Sequence, residues 1–420
     1  MLVTDTLRTV DDIPSPEWDA FTRASDIDSA RGFLQFREYL EPGESLLLTA
    51  RSAGRLTAAL RGVVAVPGSG LTSDPWKFLG SEAVLRLDDN DSEQTGEALR
   101  RARSALVRGA GSDTRLPLWQ ELTRRVGPCL VIREFDRSEL LYAPEADEAQ
   151  QADLAARLVR AAQSTAADKG AGAVVFPYVS PADTVLRATL TAAGFRRGTL
   201  TGASRIETAG FDSYEEYLAA LPSRRRRLYR TEEQSLTASE HLTRGEADLA
   251  QHAARVAELE ANTLVKHGGI ADAEAIRLAR ITLADRLPDA VRVPVVRRDG
   301  ETVACALHLL GRKSVVFMTY GCDYAVEDRG AAYPWAAFYH PVRTAIAQRL
   351  DGVRLGFEGF EAKTRRGAVV EPRETWAWTP DADALRRLGE LLDLVDARND
   401  AYLSRFPQAT ADRGRGKARS

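Results

Sequence analysis

The sequence predicts a mixed α/β protein, and three observations support this fold class. Apolar, strand-like segments alternate with segments of helical periodicity in the first half of the 420-residue chain. Asp299-Gly300 separates two apolar runs, which is typical of a β-hairpin. The composition, 44% hydrophobic and 28% charged, fits a well-packed protein of two or three domains. Alternation of this kind favours a mixed sheet covered by helices.

The first half of the chain supplies the first group of predicted elements. Strands are predicted at 45–50, 56–66, 129–133, 173–178 and 199–206, and helices at 94–108, 149–168 and 181–193. Asp212 or Ser213 can cap the helix that begins at Tyr214. We therefore place a domain boundary near residue 208.

The second half has a different order of elements. Helices are predicted at 213–220, 223–237, 248–266, 272–286 and 333–350, and strands at 240–245, 291–298, 302–310, 314–320 and 353–358. This gives a predicted N-terminal domain of 1–208 and a predicted C-terminal domain of 209–380, the probable catalytic one. A helix at 381–406 and a disordered tail at 407–420, rich in arginine and glycine, complete the predicted organisation.

Charge and residue spacing argue against several classes of protein. A net charge of −3 argues against wholesale coating of nucleic acid, although it allows a local basic patch. Cys129, Cys305 and Cys322 are too few and too scattered for a disulfide framework or a zinc ribbon. The five histidines lack the spacing of metal ligands. We predict no metal site.

The beginning of the chain and its apolar runs bear on its location. The segment 1–12 lacks the basic region, the apolar stretch and the cleavage site of a signal peptide. No uninterrupted apolar run approaches the roughly 18 to 20 residues that a membrane-spanning helix needs. We expect a cytoplasmic protein without a membrane span.

An arginine run at 222–230 is the first candidate for binding. It contains five arginines and no acid, and Ser223 is placed to cap its helix. Helical spacing lets several guanidinium groups face a polyanion. The alternative is a solvated helix face balanced by Glu232 and Glu233. The candidate phosphate- or tRNA-binding residues are Arg224, Arg225, Arg226, Arg227 and Arg230.

The segment 356–376 is the second candidate. It places fixed charges beside aromatic rings and glycines at the end of an apolar strand, and its acids and bases nearly balance. Charge balance indicates positioned pairs, so Glu358 could serve as an acid or base and Lys363 as a cation near a developing oxyanion. The alternative is a surface hairpin held by ion pairs. The candidate substrate-binding residues here are Phe360, Arg365, Arg366 and Trp376.

The end of the strand at 314–320 is the third candidate. Tyr320, Asp323 and Tyr324 follow one another where an apolar strand ends, and strand ends in α/β sheets commonly supply site residues. We take Tyr320 and Asp323 as candidate catalytic residues and Tyr324 as a candidate substrate contact. The alternative is a boundary tyrosine whose hydroxyl faces water.

Four segments together resemble the Fem-like branch of the GNAT superfamily of N-acetyltransferases, in particular its peptidogalycan biosynthesis/recognition members. They are 211–227, 300–307, 320–322 and 356–367 with Pro372. The likeness covers 209–380 well and reaches the first half only faintly. It implies a tandem of two GNAT-like domains.

The resemblance also implies an activity. Characterised members transfer an aminoacyl group from aminoacyl-tRNA to an amine, so we expect an N-acyltransferase that forms an amide on a natural product or a cell-wall precursor. It would need no bound cofactor beyond this co-substrate. Lys363 would then lie near the reacting carbonyl, Arg365 and Arg366 would hold an anionic substrate part, and the arginine helix would meet tRNA phosphates. Glu358, Asp323 or the substrate would take the proton.

Two alternatives follow from one further motif. Acyl-CoA-dependent GNAT enzymes carry a Gln/Arg-x-x-Gly-x-Gly/Ala loop whose backbone amides hold a pyrophosphate. The corresponding place here has Glu327 three residues before Gly330, which weakens a coenzyme A donor. An acyl-CoA-dependent acyltransferase is the second reading of the sequence, and a non-catalytic module that recognises a sugar or peptide is the third.

Overall fold

A computed structural model describes residues 2–66, 93, 97, 124–326 and 331–408. These residues form two compact units that are discontinuous in sequence. Unit 1 contains 2–24, 37–66, 93, 97, 124–202 and 372–405, and unit 2 contains 25–36, 203–326, 331–371 and 406–408. Each unit therefore includes a segment from the other half of the sequence.

Unit 1 is built on a mixed sheet. Its strands are β1 (Leu2–Leu7), β2 (Gly43–Ser52), β3 (Arg55–Ala65), β4 (Cys129–Ile132), β5 (Leu141–Tyr142), β6 (Ala173–Val179) and the second part of β14 (Val369–Trp378). The strands β1 to β4 pair antiparallel in that order, β6 runs parallel to β4, and β14 runs antiparallel to β6.

Helices cover this sheet with their apolar faces. They are α1 (Ser15–Phe21), α3 (Glu148–Asp168), α4 (Thr184–Ala192) and α11 (Ala382–Leu403), while α2 (Arg31–Leu40) runs from unit 2 into unit 1. Asp147 and Gln150 form a capping box that starts α3. Leu154, Leu158 and Ala162 follow at helical spacing and are buried in the core, which stabilises the contact of α3 with the sheet.

Unit 2 is likewise built on β-sheet structure. The end of β7 (Arg196–Glu207) enters it from unit 1 and is followed by β8 (Leu242–Glu246), β9 (Val291–Arg292), β10 (Pro294–Arg298), β11 (Glu301–Leu310), β12 (Ser314–Cys322) and β13 (Gly352–Gly356). The spatial order is β7-β13-β12-β11-β10-β8, and only β12 and β13 are parallel neighbours in it.

The described residues of unit 2 also form α-helices. They are α5 (Tyr214–Ala220), α6 (Ser223–Thr237), α7 (Leu249–Lys266), α8 (Ala273–Arg286), α9 (His340–Ala347) and α10 (Phe360–Arg365). Asp248 and Asp272 cap α7 and α8 by accepting hydrogen bonds from backbone amides. A helical turn at Ala332–Pro334 and a π-helix at Trp335–Tyr339 lead into α9.

The predicted hairpin at Asp299-Gly300 is confirmed. Both residues have positive φ angles, 50° and 89°, as the two central residues of a type I′ turn require. The turn brings Arg298 opposite Glu301 and fixes the register of β10 on β11.

The two parallel strands of unit 2 separate before they end. β12 pairs with β13 at three positions, Ser314–Val316 with Gly352–Arg354. Beyond Val316, β12 continues to Cys322, with half-buried side chains at residues 317–320. Gly356 at the end of β13 has a φ of 68° and pairs with Ser204 on the other side. A cleft therefore opens at the carboxyl ends of these strands, where α/β sheets commonly place their sites.

A buried histidine forms a hydrogen bond with the π-helix before α9. A wider helical turn frees backbone carbonyls from their usual partners. His308 on β11 donates a hydrogen bond from Nε2 to the carbonyl of Ala336 at 2.8 Å. Burial lowers the pKa of His308 from 6.5 to about 3, so the folded protein holds a neutral imidazole.

We expect His308 to make the stability of the fold depend on pH. Its pKa is lower in the folded than in the unfolded chain, so stability is complete above about pH 6.5 and falls as the pH falls towards 3. The loss should reach about 2 kcal/mol near pH 5. Urea unfolding at about pH 7 and pH 5 measures it. The variant His308→Gln should lose less stability over this interval, whereas equal losses would contradict the assignment.

Most predicted elements are confirmed, with boundary shifts of a few residues. The predicted helix 223–237 and the helices near 149–168 and 248–266 are present. The predicted strand 353–358 ends at Gly356, and the predicted helix 333–350 is divided by the π-helix. Pro222 occupies the N-cap position of α6, so the predicted cap Ser223 is instead its first residue.

Parts of two predictions fall outside the described residues. The predicted helix 94–108 does so apart from Glu97, and so does the predicted disordered tail from 409 onward. Pro407 accepts a hydrogen bond from the amide of Val370, so the first residue of that predicted tail is held by unit 2. Among the described residues, no helix is long and apolar enough to cross a membrane.

Candidate functional site

The cleft at the open edge of β12 has a volume of about 610 Å³. Residues from α7, β12, the segment after it and the turn before the π-helix line it. They are Thr263, His267, Phe317, Thr319, Tyr320, Cys322, Tyr324, Ala332, Tyr333 and Pro334. The volume lies within the usual range of small-molecule sites, roughly 300 to 1,000 Å³.

A β-bulge gives this cleft two different walls. His308 pairs with Phe317 and Leu307 pairs with Thr319, so Met318 is the extra residue in β12. Leu307 and His308 are adjacent in β11, so their side chains face opposite sides of the sheet. Their partners Thr319 and Phe317 therefore face opposite sides as well. The cleft wraps around the edge of β12 and reaches both faces of the sheet.

An aromatic wall lies on the face that packs against the π-helix. It contains Phe317, Tyr320 and Tyr333, and the rings of Tyr320 and Tyr333 meet edge to face with centroids 4.8 Å apart. Burial raises the pKa of both phenols. At neutral pH they therefore remain protonated and can donate hydrogen bonds.

A polar wall lies on the face that packs against α7. It is formed by Thr263, His267 and Thr319. A Cβ at Gly321 would lie 2.7 Å from the backbone nitrogen of Glu260, so only glycine lets α7 pack this close to β12. The close packing brings the end of α7, with His267 as its C-cap residue, to the cleft.

Tyr324 and Lys266 lie where the polar wall begins. The hydroxyl oxygens of Tyr324 and Thr263 are 3.4 Å apart. The ammonium group of Lys266 lies 3.7 Å from the centre of the Tyr324 ring, within the range of a cation–π contact. A positive charge is thus held next to the cleft.

Among the described lining residues, the ionisable groups are phenols, an imidazole and a thiol. None of the ten lining residues is an acid. Among the residues that the structure describes, no group of three His, Cys, Asp or Glu side chains could hold a metal ion. The arrangement can donate hydrogen bonds from phenols on one wall and accept a proton on the other.

Two of the three predicted residues at the end of β12 line the cleft, and the third stabilises the turn beside it. Tyr320 and Tyr324 line the cleft. Asp323 instead accepts hydrogen bonds from the amide of Ala325 and from Arg255, the latter at 3.3 Å. This carboxylate holds the turn after β12.

Lys363 lies on α10, and its ammonium group is buried against the end of β13. It donates hydrogen bonds to the carbonyls of Leu355, Gly356 and Phe357 at 2.8, 3.3 and 2.7 Å. Burial lowers its pKa to about 8. The three donors of the ammonium group are therefore directed at the backbone, in place of the predicted oxyanion. Its catalytic role stays a prediction.

We expect the variant Lys363→Met to lower the free energy of unfolding by about 3 kcal/mol, because it leaves three carbonyls without their donor. Chemical denaturation measures this change. Lys313→Met, at an exposed position, is the matched control and should leave stability unchanged. A Lys363→Met protein with full stability and no transfer activity would instead assign the lysine to the reaction, as the sequence predicts.

The remaining predicted residues of this segment also have identified places. Glu358 is exposed in a turn, with a φ of 58°. Phe360 is buried against Phe406, with ring centroids 5.5 Å apart. Arg365 is exposed. Arg366 is buried and instead bonds Glu232 of α6 at 2.5 and 3.1 Å.

The arginine helix α6 is held to α5 and α10 by two of its five arginines. Arg225 donates to the carbonyls of Thr364 and Arg365, and Arg226 donates to that of Ala219. The side chains of Arg224, Arg227 and Arg230 are exposed. Their spacing of three residues places them in one stripe along the helix.

Trp376 belongs to unit 1. It is buried in the core of that unit, and its indole Nε1 donates to Glu374 at 3.0 Å. Glu374 also accepts two hydrogen bonds from Arg187, at 2.9 and 3.1 Å. The predicted substrate contact Trp376 thus lines a different cleft, of about 650 Å³, in unit 1.

Sequence reasoning missed eight of the ten described lining residues of the unit 2 cleft. They are Thr263, His267, Phe317, Thr319, Cys322, Ala332, Tyr333 and Pro334. His267 follows a helix and precedes Gly268-Gly269, a signal that marks only a helix end. Its place in the cleft depends on the packing of α7 against Gly321.

The two units and the separating parallel strands define a mixed α/β protein. The chain belongs to the FemAB-like family, described as "Peptidogalycan biosysnthesis/recognition", whose model matches residues 138–410. No curated protein matches the sequence significantly.

The chain is similar to several solved structures, and the match to FemX shows a similar fold. The crystal structure of FemX is 11% identical, with a TM-score of 0.58, and the match covers 92% of this chain and all of FemX. A tandem GNAT protein from the clavulanic acid pathway is 13% identical, with a TM-score of 0.46. The match covers 90% of this chain and 98% of the clavulanic acid pathway protein. A C-terminal domain of a putative lysylphosphatidylglycerol synthetase from Agrobacterium fabrum is 18% identical, with a TM-score of 0.40. The match covers 64% of this chain and 82% of that domain.

Proposed function

We propose that the protein is an aminoacyltransferase that moves an aminoacyl group from aminoacyl-tRNA to the amine of a small-molecule acceptor. Membership of the FemAB-like family supports an N-acyltransferase. The observation that carries the proposal is the unit 2 cleft, which places protonated phenols and an imidazole on opposite faces of one strand edge. We propose that it acts in the cytoplasm, where charged tRNA is available.

The reaction requires positioning more than covalent catalysis. The ester that joins an amino acid to tRNA is already activated, so a bound amine can attack its carbonyl directly. A C–N bond forms, the carbonyl oxygen becomes an oxyanion, and the ester C–O bond then breaks. The acceptor amine loses a proton, and the tRNA hydroxyl that leaves gains one.

Two cleft residues fit the two charges that develop. Tyr320 has a phenol that burial keeps protonated, and this phenol can donate a hydrogen bond to the oxyanion. His267, on the opposite wall, can accept the proton of the attacking amine. His267 replaces Glu358 and Asp323 in our proposal, because neither carboxylate lines the cleft.

Two observations favour tRNA over coenzyme A as the carrier of the acyl group. The exposed stripe of Arg224, Arg227 and Arg230 suits a phosphate backbone. In the sequence, the acidic Glu327 stands where pyrophosphate-binding loops carry glutamine or arginine. A carboxylate at that place repels a pyrophosphate.

We expect glutamine substitutions of all three stripe arginines to weaken the binding of tRNA and to reduce its salt dependence. Each lost phosphate contact should lower the slope of log K against log salt by about 0.7 to 0.9. Filter binding at several salt concentrations measures the slope. A triple variant of exposed unit 1 arginines, Arg55, Arg157 and Arg386 to Gln, is the charge-matched control. Equal slopes for both triple variants would remove the stripe from the tRNA site.

Thermal unfolding with the separate ligands tests the donor. Deacylated tRNA should raise the Tm, because a ligand that binds the folded state stabilises it, and coenzyme A should leave the Tm unchanged. A shift with coenzyme A and none with tRNA would favour an acyl-CoA-dependent acyltransferase instead.

A further inference from the structure

We infer that the cleft selects donors whose aminoacyl side chain is bulky and uncharged, such as an aromatic or branched aliphatic chain. This inference rests on the proposed aminoacyl transfer and adds the class of amino acid. It depends on which wall receives the donor, on the size and lining of that wall, and on the charges beside the cleft.

The position of the imidazole decides between the walls. The attacking amine must give its proton to a base within hydrogen-bond reach. His267 is on the polar wall, so the acceptor amine approaches along α7. The acyl group is attacked from that side, and the donor side chain therefore occupies the aromatic wall.

The aromatic wall is suited to a large apolar group. Its members are Phe317, Tyr320, Cys322, Ala332, Tyr333 and Pro334. Filling it with a leucine or phenylalanine side chain would tighten binding roughly 10- to 150-fold relative to leaving that side chain in water. A glycine or alanine donor gains almost none of this, and it would leave the wall in contact with water.

Charge adds a second criterion. The described residues of the lining include neither an acid nor a lysine or arginine, so a charged side chain would lose its hydration without gaining an ionic partner among them. The ammonium group of Lys266 already lies over the Tyr324 ring, 3.7 Å from its centre. This charge lies beside the polar wall, so it bears on the acceptor and not on the donor side chain.

Stable donor analogues test the inference without an identified acceptor. The probes are 3′-aminoacylamino-3′-deoxyadenosines that carry phenylalanine, leucine, glycine or lysine, in which an amide replaces the reactive ester. Calorimetric titration of the full chain should give about 10- to 150-fold tighter binding for the phenylalanine and leucine probes than for the glycine probe. The lysine probe should bind no better than glycine.

Variants of the wall locate the preference. Tyr333→Ala and Phe317→Ala should each reduce the ratio between the phenylalanine and glycine probes about 10-fold or more, while Tyr333→Phe should keep it. Tyr39→Ala, at an exposed tyrosine of unit 1, is the control. Thermal unfolding confirms that each variant is folded, and the two alanine variants are independent of each other.

The outcomes separate this inference from the proposed function. Equal binding of the phenylalanine and glycine probes, or tightest binding of the lysine probe, overturns the selectivity and leaves aminoacyl transfer in place. No binding of any probe, together with a Tm shift by coenzyme A, overturns aminoacyl transfer and the selectivity with it.

Discussion

Replacing His267 with alanine should lower kcat for amide formation about 100- to 1,000-fold, the usual contribution of a positioned general base. His267 is the histidine among the ten described residues that line the cleft, and none of these ten is an acid. The KM for charged tRNA should stay near its wild-type value, because the imidazole acts on the acceptor amine. Steady-state kinetics with labelled aminoacyl-tRNA measures both constants.

Two further measurements distinguish proton transfer from a structural role. Added imidazole should restore part of the activity of His267→Ala, because it can enter the space that the side chain leaves. His252→Gln, on the same helix but outside the cleft, should keep full activity. Loss of activity in both variants, or an unchanged kcat in His267→Ala, would remove His267 from the reaction.

The variant Arg366→Met should lower the free energy of unfolding by about 3 kcal/mol, because it leaves a largely buried carboxylate without its partner. Arg366 donates to Glu232 through two nitrogens, and the hydroxyl of Tyr339 donates to the same carboxylate. The side chains of Arg366 and Glu232 are 10% and 16% exposed. Chemical denaturation measures the change, and tRNA binding should weaken as α6 loosens.

Arg277→Met is the control for this substitution. Arg277 pairs with Glu274 on the surface of α8, and its loss should leave the unfolding midpoint unchanged. If Arg366→Met kept wild-type stability but lost substrate affinity, Arg366 would contact substrate, as the sequence alone suggests.

Local signals were sufficient for most of the architecture. The helix at 223–237 follows from Pro222 and good helix formers, and the hairpin follows from Asp299-Gly300. Tyr320 could be predicted as a site residue because it ends an apolar strand. In each case neighbouring residues carry the information.

The partners of charged residues could not be predicted in this way. Arg366 and Glu232 are 134 residues apart, and the carbonyls that Lys363 binds become acceptors only because β13 ends in a turn with positive φ angles at Gly356 and Glu358. The short helix α10 begins at the left-handed Gly359 and has too few residues to show a periodic pattern. The charges of Lys363 and Arg366 therefore look free in the sequence and are bound in the fold.

The two-walled cleft is also a product of long-range packing. It needs the bulge at Met318, the early end of pairing between β12 and β13, and the approach of α7 to Gly321. None of these leaves a local signature, and His267 and Tyr333 were missed for that reason.

Transfer of a labelled amino acid from tRNA to a small molecule tests the central claim most directly. The protein is incubated with labelled aminoacyl-tRNAs and the small-molecule fraction of its source cells, and alkali then hydrolyses the remaining ester. The proposed function predicts alkali-stable label in small molecules, absent after RNase treatment and greatly reduced with His267→Ala. No alkali-stable label from any aminoacyl-tRNA would contradict it.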